Sequence, residues 1–247
     1  MAHKFRTKIR MAALIGLLFV SACARPEVSR GTYDPFEVQN RGIHEDNRKL
    51  DQYVLRPVSQ GYGKILPPEL RLGVSNMASN LSVPGVVVND LLQFNLRNAG
   101  HNTVRFLLNS TIGLGGLLDP AAAKFPLRRN DFGQTLYVWG AGEGAYLELP
   151  LLGPSTTRAA AGIVVDLALD PLRLFAPTDV ATASTIASAA DVANSRYTYS
   201  DTVDSILYDS EDSYAQSRLL YLENRRFLLG DTTSGEDVYD IYEDLYE

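Results

Sequence analysis

The chain has 247 residues, with 23 lysines and arginines against 29 acids and a formal net charge of −6. The first 22 residues hold four of these bases and no acid, so the rest of the chain carries 19 bases against 29 acids. This acidic balance argues against nucleic acid as a partner, because nucleic-acid binding requires a basic face. The length fits one domain with a sizeable core, and a single cysteine excludes an intramolecular disulfide.

Residues 1–22 have the order of segments found in a bacterial export signal. A stretch with four lysines and arginines comes first, an apolar run over residues 11–20 follows, and small residues precede Cys23. A cysteine at this point makes the segment resemble a lipoprotein signal, in which the cysteine receives a diacylglycerol and, after cleavage, an N-terminal acyl group. By the same resemblance, Ala24 rather than Asp favours the outer membrane. The alternative is an ordinary secretory signal with a spare thiol.

The next segment predicts a short tether followed by helices. Residues 23–33 have little apolar content. Asp34 is then placed to cap a helix, with Pro35 in its first turn and Glu37 completing a capping box. A thin apolar face continues to residue 56, and Pro57 is expected to end this helix. A further helix is expected to start at Pro68.

The central segment, residues 76–120, predicts two short apolar helices with a polar break at Asn98–Asn102. Neither helix approaches the ~20 apolar residues of a membrane span. Both are apolar on most sides, with single amide side chains set in. This pattern favours either a buried helical hairpin or one that rests in lipid at shallow depth.

Two glycine clusters follow. Gly113, Gly115 and Gly116 are interpreted either as a hinge, because glycine has wide backbone freedom, or as positions that let neighbouring segments pack closely. The second cluster, Gly140–Gly144, comes after a predicted strand at residues 135–139. No amphipathic helix follows it, so a tight turn or short hairpin is predicted there rather than a nucleotide site.

The C-terminal third predicts helices over residues 158–174, 179–194 and 201–229, the last divided at Asp209–Ser213. Residues 230–247 carry seven acids and no base, with an apolar helical face formed by Val238, Ile241, Tyr242 and Leu245. Two interpretations of this tail stay open, a docking helix and a solvated, frayed terminus.

Taken together, these segments resemble the MlaA/VacJ family of outer-membrane lipoproteins, over about residues 34–227. The matching segments are Asp34-Pro35-Phe36-Glu37, Asn40-Arg41, Asn47, Leu50-Asp51, Arg56-Pro57, Ser75-Asn76, Asn80-Leu81, Pro84, Val88-Asn89, Arg105-Phe106, Asn109-Ser110-Thr111, Gly113, Gly115-Gly116, Asp119, Phe132-Gly133-Gln134-Thr135-Leu136, Trp139-Gly140, Gly142, Gly144, Tyr146-Leu147, Leu149-Pro150, Gly153-Pro154-Ser155, Arg158, Asp170-Pro171, Tyr214, Arg218 and Tyr221.

The resemblance implies an all-α fold, a ring of amphipathic helices around a central channel that lies in the periplasmic leaflet of the outer membrane. It implies a lipoprotein that removes misplaced phospholipids from the outer leaflet and so maintains lipid asymmetry. The phospholipid would pass to a soluble periplasmic carrier, which delivers it to an inner-membrane transporter, and a trimeric porin would be a partner. The implied domains are a signal at 1–22, a lipidated tether at 23–33, a helical domain at 34–229 and an acidic tail at 230–247.

Moving a lipid breaks no covalent bond, so no catalytic residue, metal site or cofactor is predicted beyond the covalent lipid on Cys23. A lipid path needs surfaces that tolerate both headgroups and acyl chains, which amides among valines and leucines supply. The candidates for a lipid path or hinge are Asn40, Arg41, Asn47, Asn76, Asn80, Pro84, Asn89, Asn109, Gly113, Gly115 and Gly116.

Two other functions stay open. A lipid hydrolase needs a nucleophile, a base and an oxyanion site. The chain has no G-x-S-x-G motif, and only His44 or His101 is available as the base. Both histidines are expected at the surface or in helix caps. The other alternative is a structural lipoprotein that tethers porins to the membrane.

Overall fold

The structure, a computed structural model, describes residues 32–230. The signal, Cys23, most of the tether and the tail beyond residue 230 therefore lie outside the described residues. The elements are α1 (Glu37–Leu50), a π turn (Asp51–Leu55), α2 (Arg56–Ile65), α3 (Pro68–Leu92), α4 (Leu96–Thr111), α5 (Phe132–Val138), β1 (Tyr146–Leu149), β2 (Gly153–Thr156), α6 (Thr157–Leu169), α7 (Pro171–Phe175), α8 (Thr178–Thr198), α9 (Ser200–Asp204), a second π turn (Ser205–Asp209) and α10 (Ser213–Leu228).

The helical fold class predicted from the sequence is confirmed, and one antiparallel hairpin is added to it. Strands β1 and β2 pair with Tyr146 opposite Thr156 and Leu149 opposite Gly153. Helix α3 packs against α4 and α8, α2 packs against α8, and α5 packs against α6. The hairpin lies between α1 and α10, since α1 contacts β1 and α10 contacts β2. No helix among residues 32–230 combines the length and the apolar character needed to cross a membrane.

The start of α1 differs from the prediction. The helix begins at Glu37, and its N-cap residue, Phe36, makes no side-chain capping bond. Asp34 instead accepts a hydrogen bond from Asn40 at 2.9 Å and bonds to Tyr214 and Arg218 of α10. The prediction of a capping box was therefore wrong. The local sequence around an aspartate that caps a helix is the same as that around one that accepts hydrogen bonds from distant residues.

Pro57 does not end the first helix, contrary to the prediction. The chain passes through the π turn at Asp51–Leu55, where the Arg56 N–H donates to the Asp51 carbonyl five residues back. Pro57 then lies in the first turn of α2, where its missing N–H leaves no helical hydrogen bond broken. The wider turn therefore lets α1 continue into α2.

The break between the two central helices lies earlier than predicted. Helix α3 runs through Pro84 to Leu92, and the corner occupies residues 93–95. The Asn95 side chain accepts a hydrogen bond from the Asn98 N–H at 3.1 Å and so caps α4. Residues 98–102, the predicted break, therefore lie inside α4. Amides and glycine are also tolerated within a packed helix, which made the break ambiguous.

The predicted strand at residues 135–139 is also wrong, because α5 occupies most of it. Asp131 caps this helix and accepts a hydrogen bond from the Gln134 N–H at 2.8 Å. The turn predicted after it is confirmed, since Gly140 has a φ of 90° and follows Trp139 directly. Further on, the predicted helix over 158–174 divides at Asp170, and the predicted break at Asp209–Ser213 is confirmed.

Candidate functional site

The interior of the fold is mainly polar. Among residues 32–230, sixteen polar or charged residues are buried, compared with twelve apolar ones. The hydrophobic core is a small cluster of Tyr146, Tyr214 and Leu222, with Tyr221 packed against it. Because buried polar groups are costly unless they are hydrogen-bonded, this interior must be held together largely by specific hydrogen bonds.

Three side chains at helical spacing on α1 hold the hairpin. The Asn40 side chain donates to the Tyr146 carbonyl at 3.2 Å and accepts from the Glu148 N–H at 3.0 Å. One helical turn on, the ring of His44 lies 3.2 Å from a Glu148 carboxylate oxygen. Asn47 adds a 2.9 Å hydrogen bond to the Leu149 carbonyl. The inward face of α1 is therefore polar, and the predicted apolar face of this helix is largely exposed.

His44 is buried, which corrects its prediction as a surface or cap residue. Its Nδ1 faces Glu148 and its Nε2 lies 3.1 Å from the Ser213 hydroxyl. The order serine, histidine, glutamate is that of a nucleophile, its base and an orienting acid. The N–H groups of Tyr214 and Ala215, which follow Ser213 in the helix, both bond to the Asp212 carboxylate, the second at 3.0 Å. These two N–H groups are therefore not free to act as oxyanion donors.

A cavity of about 200 Å³ adjoins this row. His44, Asn47 and Glu148 line it on one side, and its other walls are mostly apolar. His101, the second histidine, lies elsewhere and bonds to the Pro126 carbonyl at 2.8 Å. Within residues 32–230, no group of three or more metal-ligating side chains comes together.

A second set of hydrogen bonds joins α3, α5 and α6. The Asn89 side chain donates to Asp166 at 2.7 Å and accepts from the Thr135 hydroxyl at 2.8 Å. Burial raises the pKa of Asp166, although the hydrogen bonds from the Phe132 N–H and from Asn89 oppose this shift. Asn89 thus connects three helices through a single amide group.

The neighbouring residue of α3, Asp90, makes a third set. Its two carboxylate oxygens accept from Asn102 at 2.8 Å and from Asn130 at 2.7 Å. Asn102 also binds the backbone of Arg128 in both directions, through its amide nitrogen at 3.1 Å and its oxygen at 3.3 Å. These bonds fix the loop before α5 along the side of α4.

Asn109 lies at the far end of α4 and organises the glycine turn. It donates to Asp119 at 2.9 Å and accepts from the Ala121 N–H at 3.2 Å. A Cβ added at Gly113 would lie 2.5 Å from the Asn109 carbonyl, and one at Gly116 would lie 2.6 Å from the Asn80 Cβ. These distances agree with the close-packing interpretation of the two glycines. The hinge stays a prediction.

A buried arginine–aspartate ion pair lies at the two π turns. Arg196 of α8 binds Asp51 through two nitrogens at 2.7 and 2.8 Å, and its third contact is Asp204 at 2.5 Å. The Tyr208 hydroxyl also donates to Asp51 at 2.7 Å. Burial, together with this hydrogen bond, raises the pKa of Tyr208 to about 12. This cluster was not predicted from the sequence. One signal could have indicated a polar inner face here, because Asn40, Asn47 and Asp51 recur at helical spacing along α1 and into the π turn.

The predicted site residues thus fall into several places rather than one. Asn40, Asn80, Asn89 and Asn109 are buried and hydrogen-bonded. Asn80 and Asn109 both adjoin the glycine turn, whereas Asn40 and Asn89 lie in two other clusters. Arg41 is exposed and pairs with Asp212. The remaining candidates are Asn76, which donates to the Leu117 carbonyl at 3.4 Å, Pro84 inside α3, and Gly115, whose φ is 73°.

The outer surface is rich in large apolar side chains. Within residues 32–230, every helix except the short α9 exposes at least one leucine, isoleucine, valine or phenylalanine, and Trp139 is exposed just beyond the end of α5. On a water-soluble protein, apolar surface of this extent marks an interaction site or a membrane contact. A polar interior and an exterior rich in large apolar side chains define a class of helical protein whose surface suits binding to a partner or to lipid.

The comparisons with known proteins agree with this class. The chain belongs to the MlaA lipoprotein family, whose family model matches residues 32–228. It is 34% identical over 232 residues to the intermembrane phospholipid transport system lipoprotein MlaA of Shigella flexneri, covering 90% of this chain and 89% of that one. It is 28% identical to MlaA of Haemophilus influenzae, covering 97% and 98% of the two chains.

A solved structure is also similar. It comes from work on the structural basis for maintenance of bacterial outer membrane lipid asymmetry. The TM-score is 0.67 at 31% sequence identity, and the match covers 79% of this chain and 98% of the other. At this identity and coverage, the likeness supports both the fold and the family assignment.

Proposed function

We propose that this protein is an outer-membrane lipoprotein that removes phospholipids from the outer leaflet and passes them to a soluble periplasmic carrier. The observation that carries the proposal is the reversed distribution of side chains, with hydrogen-bonded polar groups inside and large apolar groups outside. The related Shigella and Haemophilus proteins are named as phospholipid transport lipoproteins, which supports the same role.

The same surface and the lipoprotein signal support the proposed position at the membrane. Helices that lack either the length or the apolar character to span a bilayer can lie at one leaflet with their apolar sides in lipid. Acyl chains on Cys23 would hold the protein firmly, because each buried CH₂ adds about 0.8 kcal/mol. In this proposal, the helices form a ring around a lipid channel in the periplasmic leaflet, beside a trimeric porin.

The test measures phospholipid in the outer leaflet of cells that lack the gene, with wild-type and Cys23→Ala copies restored. We expect outer-leaflet phospholipid to rise on deletion and to return to normal with the wild-type copy alone. No rise on deletion would leave the structural tether as the better function. Co-purification of a trimeric porin and of a soluble lipid-carrying protein tests the two partners separately.

One observation favours a second candidate function, a lipid hydrolase. Ser213, His44 and Glu148 form a row with spacings of 3.1 and 3.2 Å beside a partly apolar cavity. A Ser213→Ala copy in the same cells separates the two functions. If the protein is a hydrolase, cells with this variant should release no lysophospholipid and should keep the excess of outer-leaflet phospholipid. If it removes lipid without chemistry, the variant should restore lipid asymmetry fully.

A further inference from the structure

The basic residues of this acidic protein are unevenly placed. Residues 93–130 contain five bases and one acid, Asp119, which is already paired with Arg105 at 2.5 Å. The other four bases of this segment have no ion pair among residues 32–230. They are Arg97, Lys124, Arg128 and Arg129.

The fold brings these four bases to one side of α4. The Arg128 guanidinium donates to the Asn98 side chain at 2.5 Å, which places it next to Arg97 in the sequence of α4. Two residues earlier, Pro126 contacts His101, and Phe125 accepts from Arg105 at 2.7 Å. Residues 124–129 therefore run antiparallel along α4, from about residue 105 back to residue 98.

One of these bases, Arg97, has a local electrostatic disadvantage. Arg97 lies in the first turn of α4, where the partial positive charge of the helix N-terminus repels a cation. Arg97, Lys124 and Arg129 are all exposed. Residues that break a local rule without an internal compensation are often found where a protein binds something. An anion outside the protein would provide that compensation.

The same corner carries a prominent apolar tip. Phe94 is 89% exposed and Leu96 is 69% exposed. The φ of Phe94 is 56°, a left-handed conformation that is costly for an aromatic residue. The strained backbone at the end of α3 therefore exposes an aromatic side chain just before the end of α4 that carries Arg97 and faces Arg128.

An exposed apolar tip next to unpaired cations matches an amphiphile with acyl chains and an anionic headgroup. We propose that this corner, formed by Phe94, Leu96, Arg97, Lys124, Arg128 and Arg129, binds anionic phospholipids in preference to zwitterionic ones. The inference rests on the proposed function in that phospholipid is the molecule handled. It adds a headgroup class, phosphatidylglycerol and other lipids with a net negative charge, and the place where that charge is recognised.

The experiment uses the full, lipid-anchored chain reconstituted in phosphatidylcholine vesicles. Trace amounts of spin-labelled phosphatidylglycerol or phosphatidylcholine are added, and the fraction of each label slowed by contact with the protein is measured. We expect the protein to associate with phosphatidylglycerol several-fold more strongly, since one basic residue near a lipid surface changes affinity by about fivefold. The preference should weaken as salt is raised.

The test variant carries Arg97→Gln, Lys124→Gln and Arg129→Gln. Its matched control carries Lys49→Gln, Lys64→Gln and Arg173→Gln, three exposed bases outside the corner, so both lose the same charge. In the test variant, we expect the ratio of phosphatidylglycerol association to phosphatidylcholine association to fall to about one, because the charges that attract the anionic headgroup are gone. In the control, we expect the preference for phosphatidylglycerol to persist. A third variant, Phe94→Ser, should lower the slowed fraction of both labels equally.

Equal association of the two labels with the wild-type protein would overturn the proposal. So would an unchanged preference in the test variant, or equal losses in test and control variants. None of these measurements involves lipid removal from cells. Failure of the proposed function and failure of this headgroup preference are therefore distinguishable.

Discussion

The inner and outer sides of α3 show the clearest contrast in the molecule. Inside, Asn80, Asn89 and Asp90 are buried beside Ala78, Val83 and Val86 and make hydrogen bonds to other helices. Outside, Leu72 and Leu91 are exposed. Buried amides and exposed leucines on one helix reverse the usual arrangement of a surface helix in a water-soluble protein. The contrast teaches that directional hydrogen bonds contribute to the specificity of this fold, while large apolar side chains remain at its surface.

The test with the largest expected effect on stability compares a buried ion pair with an exposed one. In the buried pair, the side chains of Arg196 and Asp51 are 5% and 8% exposed. Arg196→Met leaves the buried Asp51 carboxylate without its cation, while Asp204 keeps its pair with Arg56. We expect the change to lower the free energy of unfolding by about 3–5 kcal/mol. The measurement is urea unfolding of the protein in detergent, followed by circular dichroism.

The matched control is Arg41→Met, which breaks the exposed ion pairs of Arg41 with Asp212 and Glu37, whose three side chains are 42%, 44% and 46% exposed. Here we expect a loss of at most ~1 kcal/mol, because solvent screens the pair. Similar losses for Arg196→Met and Arg41→Met would contradict the view that the polar interior holds the fold together.

The second test uses two positions on one helix, Asn89 and Leu91. Asn89→Leu removes the amide that joins Asp166 and Thr135, so we expect a destabilisation of about 1–3 kcal/mol from unsatisfied buried groups. Leu91→Ser should change stability in detergent by only about 0.5 kcal/mol but should weaken vesicle association. A Leu91→Ser protein that is less stable than Asn89→Leu would reverse the assignment of inside and outside.

The third test compares glycines. At Gly113, an added Cβ would lie 2.5 Å from a backbone oxygen, so Gly113→Ala should destabilise the protein by about 1–3 kcal/mol. At Gly42, in the middle of α1, an added Cβ meets nothing within 4 Å. Gly42→Ala should therefore stabilise the protein, by roughly 0.5–1 kcal/mol. Thermal unfolding of the two variants checks both signs, and a stabilised Gly113→Ala protein would show that the turn is loosely packed.

The smallest expected effect is a pH dependence at the surface. Hydrogen bonds from Arg41 lower the pKa of Asp212 from 3.8 to about 2. A carboxyl whose pKa is lowered by folding stabilises the protein above its unfolded pKa and loses that contribution as pH falls through its folded pKa. Asp212→Asn keeps a good capping residue for α10 and removes the charge.

We therefore expect wild type to be slightly more stable than Asp212→Asn at neutral pH, by less than about 1 kcal/mol because the pair is exposed. The difference should vanish between pH 3.8 and about 2. Unfolding midpoints of the two proteins across this range provide the measurement, and a difference that persists at the acidic end would exclude the charge as its source.

Local signals in the sequence predicted part of the fold. Pro68 begins α3 as expected, and the break at residues 209–213 is confirmed, because proline and clustered polar residues act through the nearby backbone. The signals failed where one residue type has two uses. Asn95 and Asn98 are chemically alike, yet only the first caps α4. Asp131 starts a helix where β-favouring residues had predicted a strand.

The candidate site was predicted less well, since its contacts join distant parts of the chain. Asp51 and Arg196 are 145 residues apart, and His44 and Ser213 are 169 apart. A single sequence contains no signal for such pairs. The amides Asn40, Asn80, Asn89 and Asn109 all make hydrogen bonds within the protein, which the sequence did not indicate. Their role in a lipid path stays a prediction.

The two asparagines that α1 directs at β1 have a consequence for how copies of the protein meet. The free edge of a β-strand is a template on which a second chain can add and aggregate. On β1, the Asn40 side chain donates to the Tyr146 carbonyl and accepts from the Glu148 N–H, as a neighbouring strand would. The Tyr146 N–H donates to the Tyr33 carbonyl at 2.9 Å. A side chain thus closes the edge, and this strand offers no site for fibre growth.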